Sequence, residues 1–278
     1  MPEHSDAPRD LFDVRDRTAV ITGGSGHLGL AMASALVRAG VRVALLARNG
    51  KTVGEAAQSL RAQGGVAIGI ACDVTSSASL EHAREQIATE LAPADILLNA
   101  AGGNAPAATT SDTQSFFDLD ADVAEHVVGL NLMGTYRACQ VFGREMATRG
   151  EGCIVNIASM SGLRPLTRIP AYSAAKAAVS NFTQWLAVHM AQEYSPRIRV
   201  NAIAPGFFLT EQNRYLLTEP NGGMTPRGQT ILSHTPAGRL GAPEDLAGTL
   251  LWLVSPASVF VTGIVVPVDG GFSAFGGV

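Results

Sequence analysis

Tyr172 and Lys176 stand four residues apart in AYSAAKAAVSNF, at the start of an alanine-rich run, and Ser159 lies thirteen positions before the tyrosine. Four-residue spacing on a helix brings the phenol and the ammonium to one face. A phenol ionises near pH 10 in water, too high for base chemistry at neutrality, but a neighbouring ammonium stabilises the phenolate and lowers that value. A tyrosine so placed exchanges a proton with a carbonyl or alcohol oxygen while a serine hydroxyl bonds the same oxygen. Taken alone, a Y-x-x-x-K pair is also an ordinary helix surface.

A second cluster lies near the N-terminus, in VITGGSGHLGLA. Gly24, Gly26 and Gly29 spell G-x-G-x-x-G, while Thr22-Gly23 with Gly29 spell most of T-G-x-x-x-G-x-G, with Ser25 and Leu28 at free positions and His27 where a glycine would fall. Either way the glycines follow an apolar strand-like run and open a helix-like one. There they let backbone approach a pyrophosphate, whose charge the free N–H groups and the helix dipole attract. His27 would sit in the first helical turn, where its own N–H still serves an anion. The next run, VRVALLARN, ends at Arg48, where an acid would hold the ribose 2′-hydroxyl of NAD. A guanidinium there suits the 2′-phosphate of NADP, although a solvated arginine at a strand end is the plainer reading. Asp73-Val74 follows the third run and would meet the adenine edge, with Asp73 otherwise a helix cap or turn residue. Asn99, Ala100, Ala101 and Gly102 follow the fourth, small enough for backbone to lie against a ribose.

Seven short apolar runs carry these clusters: TAVIT, VRVALLA, VAIGIAC, ADILLNA, GCIVNIAS, IRVNAIA and GIVVPVD. Helix-length stretches at about 27–39, 51–63, 76–91, 120–148 and 171–194 separate them. Near-continuous apolar strands alternating with helices predict a doubly wound α/β domain, a mostly parallel seven-stranded sheet covered on both faces. Ligands of such sheets bind beyond the carboxyl ends of the strands, and the long connections 102–118 and 206–242 are expected to wall a substrate or close over it. At 278 residues, with 46% apolar and only 16% charged residues, one domain is expected and disorder is not. A net charge of −4 offers no footprint for nucleic acid. No apolar run reaches the roughly 20 residues of a membrane span, and the first ten residues lack a signal peptide's apolar stretch, which makes the cytoplasm the expected location. Cys72, Cys139 and Cys153 are scattered, read as core residues, and no Cys/His cluster has metal-ligand spacing.

The ordered set of these motifs resembles the short-chain dehydrogenase/reductase family over almost the full length. That resemblance implies an NAD(P)-dependent exchange between ketone and secondary alcohol, hydride passing to or from nicotinamide. It makes Thr22-Gly23 to Gly29 the cofactor loop, Asn99 to Gly102 an N-x-A-G element, and Ser159, Tyr172 and Lys176 the catalytic triad. Asn131, in VGLNLMGTY, matches a helix asparagine that helps hold a water in the proton relay. Without the resemblance it is a polar residue inside an apolar helix. Pro205, Gly206 and Thr210, in NAIAPGFFLT, would line the nicotinamide, where spacing alone says only turn. A homotetramer is implied as well. The sequence departs from the family pattern at His27 and at Ala100, which replaces an asparagine and removes one side-chain hydrogen bond.

Reaction type follows from the triad, whereas the substrate must be read from the variable walls. The connections around GLRPLTRIPAY, PGFFLTEQNRYLL and TPRGQTILSHTPAGRLG are rich in Arg, Asn, Gln and Thr, unlike a pocket for a greasy chain. Arg164 and Arg168 flank the route from Ser159 to Tyr172, and either is suited to a carboxylate. Asn104, Gln212, Asn213 and Arg214 would serve hydroxyls or the same carboxylate, although loop arginines are ordinarily just exposed. With Gly-Gly-Asn-x-Pro in one wall, the chain is similar to the sugar-acid branch of D-mannonate oxidoreductases and D-fructuronate reductases. Alternatives are a gluconate or sugar-alcohol dehydrogenase, a 3-oxoacyl carrier-protein reductase, and a nucleotide-binding regulator without turnover.

Overall fold

The computed structural model describes residues 10–210, 214–219 and 222–277. Seven strands, β1 (Thr18–Thr22), β2 (Arg42–Ala47), β3 (Ala67–Ala71), β4 (Ile96–Asn99), β5 (Gly152–Ile157), β6 (Ile198–Pro205) and β7 (Val265–Val268), form one sheet in the order β3-β2-β1-β4-β5-β6-β7. Every pairing is parallel, so the sheet expected to be mostly parallel is wholly so. Parallel neighbours need crossovers, and helices supply them: α1 (His27–Arg38), α2 (Gly50–Ala62), α3 (Ser77–Glu90), α4 (Ala121–Val128), α5 (Gly134–Arg149), α6 (Met160–Leu163) and α7 (Pro170–Glu193), then α8 (Arg214–Leu217), α9 (Pro226–Ser233) and α10 (Ala247–Val254). Strand order turns outward in both directions from between β1 and β4, which opens a crevice above their carboxyl ends.

Side chains alternate across the sheet and meet a helical layer on each side. Ile21, Leu45, Leu98 and Val155 pack with Met32 and Leu36 of α1, Leu60 of α2 and Leu250 of α10. Val20, Leu46, Leu97 and Ile154 pack on the other face with Leu80 of α3, Phe142 and Met146 of α5 and Met190 of α7. Burial on both faces is why the strands read as unbroken apolar runs. Cys72, Cys139 and Cys153 are buried among them, and burial pushes their thiols up, that of Cys139 to about 12, as core residues should behave.

Two expectations are refined. The single helix expected over 120–148 is α4 and α5 joined through a π-helical turn, Gly129–Met133, that carries Asn131. Such turns insert a residue into the helical ladder, and here the Asn131 side chain occupies the gap, its Nδ2 donating to Val127 O at 2.8 Å. The connection over 206–242 contains α8 and α9. The second of these is started by Thr225, whose hydroxyl accepts from Gly228 N, with Pro226 in the first turn.

Arg199 ties the sheet to its far helix. It is 7% exposed on β6 and donates to Leu253 O at 2.7 Å, Ser258 Oγ at 2.9 Å and Ser255 O at 3.3 Å, a cation at the carboxyl end of α10. Replacing it by methionine strips charged donors from buried carbonyls and is expected to cost about 2–3 kcal/mol in urea unfolding. A loss under about 0.5 kcal/mol would show the anchor to be dispensable.

Candidate active site

The crevice between β1 and β4 is floored by glycine. Gly23 has φ +67°, and a Cβ on it would lie 2.7 Å from Ala101 Cα; a Cβ on Gly24 would lie 2.7 Å from Leu45 Cδ2, and one on Gly29 would strike Gly23 O. Of the four glycines, Gly26 has the most room, with nothing nearer than 3.2 Å to a Cβ, and Gly23, which only the T-G-x-x-x-G-x-G pattern includes, is indispensable, which favours that reading. Gly26 caps α1 without a side chain, and no acid stands in its first turn, so the helix opens as an anion site. His27 is exposed as the first residue of α1, Ser25 is half-buried in the turn, and Leu28 leans on the core. This cradle and open helix start fit a dinucleotide pyrophosphate.

Thr22 is buried and holds the adjoining segment: its carbonyl accepts from Ala100 N, and its Oγ1 from Ala101 N, both at 3.2 Å. The alanine at position 100 thus leaves the backbone path intact. Asn99 precedes that segment as the last residue of β4. Its side chain turns inward, donating to Asn156 Oδ1 at 2.9 Å and Cys139 Sγ at 3.3 Å, so only the backbone of 100–102 faces the crevice. Arg48 is exposed just beyond β2, and its charge reaches Asp73. The Asp73 carboxyl is held below its usual range chiefly by the N–H and hydroxyl of Thr75; it makes a turn, while Ser76 is the residue that caps α3. Val74 is buried, and a Cβ on Gly134 would lie 2.8 Å from its Cγ2. Pro205 ends β6, Gly206 N bonds Val268 O, and Thr210 O accepts from Arg214 N.

At the reacting end, Ser159 leaves β5 and caps α6, its Oγ accepting from Ser161 N at 3.2 Å and Ser161 Oγ at 3.0 Å. Tyr172 lies in the first turn of α7, and Lys176 one turn on is 3% exposed. The Lys176 Nζ donates to Ile157 O at 2.7 Å and stands 5.6 Å from the centre of the Tyr172 ring. A Cβ on Gly102 would lie 2.5 Å from Asn131 Oδ1 and 3.2 Å from Lys176 Nζ, so glycine is what lets the three meet. Asn131 is fully buried, and its amide clamps Gly103 by donating to its carbonyl at 2.7 Å and accepting its N–H at 3.2 Å. Its side chain is thus spent on backbone.

The expected lowering of the phenol by the ammonium is not what the site shows. Burial pushes the Tyr172 phenol above its usual value, with the Ser159 hydroxyl pulling the other way, and burial draws Lys176 down to about 8. Burial sets the direction of both shifts, and the hydrogen bond of the ammonium goes to Ile157 O.

The family model described as enoyl-(acyl carrier protein) reductase matches residues 25–273. Uncharacterized oxidoreductase UxuB of Bacillus subtilis (strain 168) is 48% identical over 271 residues, covering 94% of this chain and 96% of that protein. A crystal structure from Haemophilus influenzae, provisionally described as a D-mannonate oxidoreductase and holding NAD, superposes with a TM-score of 0.90 at 42% identity, covering 96% of this chain and 98% of that one. A gluconate 5-dehydrogenase of Burkholderia cenocepacia J2315, in complex with NADP and tartrate, gives a TM-score of 0.85 at 31% identity, covering 96% and 98%. The chain belongs to the short-chain dehydrogenase/reductase family. As a member of that family it is an NAD(P)-dependent oxidoreductase, and the crevice just described is where the family's cofactor class fits.

For a short-chain dehydrogenase/reductase the variable walls matter next. Asn104 donates to Thr109 Oγ1 at 2.8 Å within its own loop, and Arg164 is exposed at the end of α6. Arg168 adopts φ +78°, its carbonyl accepts from Thr110 N, and its Nη2 lies 3.3 Å from Asp112 Oδ1. Arg214 starts α8 and is exposed, while Gln212 and Asn213 lie outside the described residues. Sequence reading missed four participants. Asn156 relays Asn99 to Thr183 on α7, its Nδ2 donating to Thr183 Oγ1 at 2.9 Å, and an asparagine inside GCIVNIAS was the available signal. A Cβ on Gly162 would lie 2.6 Å from the Lys176 carbonyl carbon, which seats α6 on α7. Arg227 of α9 donates to Thr167 Oγ1 at 3.3 Å, and nothing in its local sequence distinguished it from a surface arginine.

Lys176 gives a pH signature. From about 8 up to the ordinary lysine value of 10.5 the unfolded chain keeps a proton that the folded one has released, so folding gains as pH rises through that window. Urea unfolding of wild type and Lys176→Met should therefore differ by a constant amount below pH 8, with wild type gaining on the variant from there to pH 10. A difference that stays flat throughout would remove the buried, destabilised ammonium.

Proposed function

We propose that the protein interconverts a ketone and a secondary alcohol on a sugar acid, D-fructuronate and D-mannonate in the first place, with NADP preferred over NAD. The carrying observation is the convergence of Ser159, Tyr172 and buried Lys176, with Arg168 and Arg227 on connections that leave the same edge of the sheet. A dinucleotide held by the cradle of Gly23, Gly24 and Gly29 would be the source of hydride for the carbonyl carbon, or its acceptor in the reverse direction. Tyr172 gives its phenol proton to the carbonyl oxygen as the alcohol forms, and its high pKa keeps that proton in place beforehand. Ser159 donates to the same oxygen, while its own Oγ accepts from the N–H and the hydroxyl of Ser161. Lys176 keeps a positive charge beside the Gly102 backbone, and Asn131 fixes the Gly103 peptide there rather than reaching the substrate.

Arg48, exposed beyond β2, supports NADP. Relatives described as acting on or holding polyhydroxylated acids support the substrate class. A groove of about 430 Å³ between α5 and α7, with exposed Trp185 stacked on His189 and Phe182 tilted on Tyr136, supports pairing of copies, one of the contacts that a homotetramer would need. Among the described residues no helix is long and apolar enough to cross a membrane, and three buried free thiols suit the reducing cytoplasm.

Initial rates with NADPH and NADH against D-fructuronate, 5-keto-gluconate, fructose and an acetoacetyl thioester test the proposal. The sugar acids should give the highest kcat/KM, and Arg48→Asp should shift the coenzyme ratio toward NADH by about tenfold or more. Turnover of the thioester alone would overturn the substrate reading in favour of carrier-protein chemistry.

A further inference from the structure

Three connections leave the carboxyl ends of β4, β5 and β6, and they meet at a pair of guanidiniums. From the first, Thr110 N donates to Arg168 O at 2.9 Å, and Asp112 reaches the Arg168 side chain at 3.3 Å. The second carries Thr167 and Arg168 themselves, a few residues before Tyr172 in the chain. From the third, Arg227 lays its guanidinium against Thr167 Oγ1 at 3.3 Å. Arg227 is half-buried, and burial first and the charge of Arg168 second disfavour its own charge. Among the described residues no carboxylate pairs with Arg227, and the one acid on Arg168 is 95% exposed. Arg227 also stands in the first turn of α9, the end of a helix where a cation is least favoured. Arg168 in turn holds a left-handed backbone that a non-glycine residue adopts only under constraint.

Two like charges, one partly desolvated, one on strained backbone and neither matched by a buried acid, are costly unless an anion completes them. We infer that Arg227 and Arg168 together form the site for the substrate's carboxylate, with Arg227 the principal residue and Asp112 an occupant that the carboxylate displaces from Arg168. The inference rests on the sugar-acid reading above and sharpens it: the acid group lies toward α9 and the keto group toward Tyr172. A guanidinium pair offers parallel N–H donors to both carboxylate oxygens, which a lysine cannot reproduce. The same chemistry would suit a cofactor phosphate, so the test has to separate the two.

Binding of malonate to the protein saturated with NADP is measured by calorimetry for wild type, Arg227→Gln, Arg227→Lys and Asp112→Asn, with thermal melting as a check on folding. Wild type should bind malonate. Arg227→Gln should weaken it by about 10- to 100-fold, Arg227→Lys should restore part of the loss, and Asp112→Asn should tighten it. The Kd for NADP should be unchanged in all three variants. In turnover, Arg227→Gln should raise KM for D-fructuronate by a similar factor while leaving kcat and the KM for fructose alone. Equal effects on acid and neutral sugar, or a weakened NADP Kd with malonate binding intact, would overturn the site. Malonate binding that behaves as expected in an enzyme that turns over no sugar acid would leave the site standing and remove the substrate reading instead.

Discussion

A nearly inaccessible ammonium, with the Ile157 carbonyl at 2.7 Å as its hydrogen-bond acceptor, is what the site is built around. Burying a lysine is costly, and its fall to about 8 records that cost. The surrounding architecture is what keeps it there. Gly162 lets α6 lie directly on the Lys176 backbone, Gly102 lets the crevice segment pass beside Nζ, and Asn131 pins the next peptide from a π-helical turn. Beneath it, Asn156 is bonded to Asn99 on β4 and to Thr183 on α7, so the helix that carries Tyr172 and Lys176 is keyed to the sheet by buried polar contacts. Such pairs add little net stability, but they fix register, because a misplaced helix would leave them unpaired.

The parallel sheet then gives the ammonium its audience. All crossovers deliver their loops to one edge, so the glycine cradle after β1, the backbone of 100–102 after β4, and Ser159 after β5 arrive side by side without any of them being neighbours in sequence. Walls are attached to that edge with far less burial. The strands and first helices are buried in the core, whereas 102–118 is held by turns such as Ser111 with Gln114, by the Asn131 clamp on Gly103 at its start, and by Thr110 and Asp112 on Arg168. This division lets reaction chemistry stay fixed while substrate walls vary.

Much of this could be read from sequence, and the reason is periodicity. Buried parallel strands read as unbroken apolar runs, the glycine loop has a fixed spacing, and Tyr172 and Lys176 sit one helical turn apart. What stayed hidden depended on where side chains turn once elements pack. Asn99 sat in a cofactor motif yet points into the core. Asn131 sat in an apolar helix yet fills a π-helical turn in it, and Arg227 looked like any loop arginine until α9 brought it to Thr167. The direction of the Tyr172 shift was also illegible, since spacing places an ammonium near a phenol but does not say how much water each has lost.

The central claim is that Tyr172 moves the proton while other residues bind the dinucleotide. Single-turnover consumption of NADPH by Tyr172→Phe, measured with D-fructuronate beside the Kd for NADPH, addresses it most directly. The rate should be lower by about 100- to 10,000-fold with cofactor affinity unchanged. A variant that still turns over at near the wild-type rate, or one that loses the dinucleotide along with the rate, would contradict it.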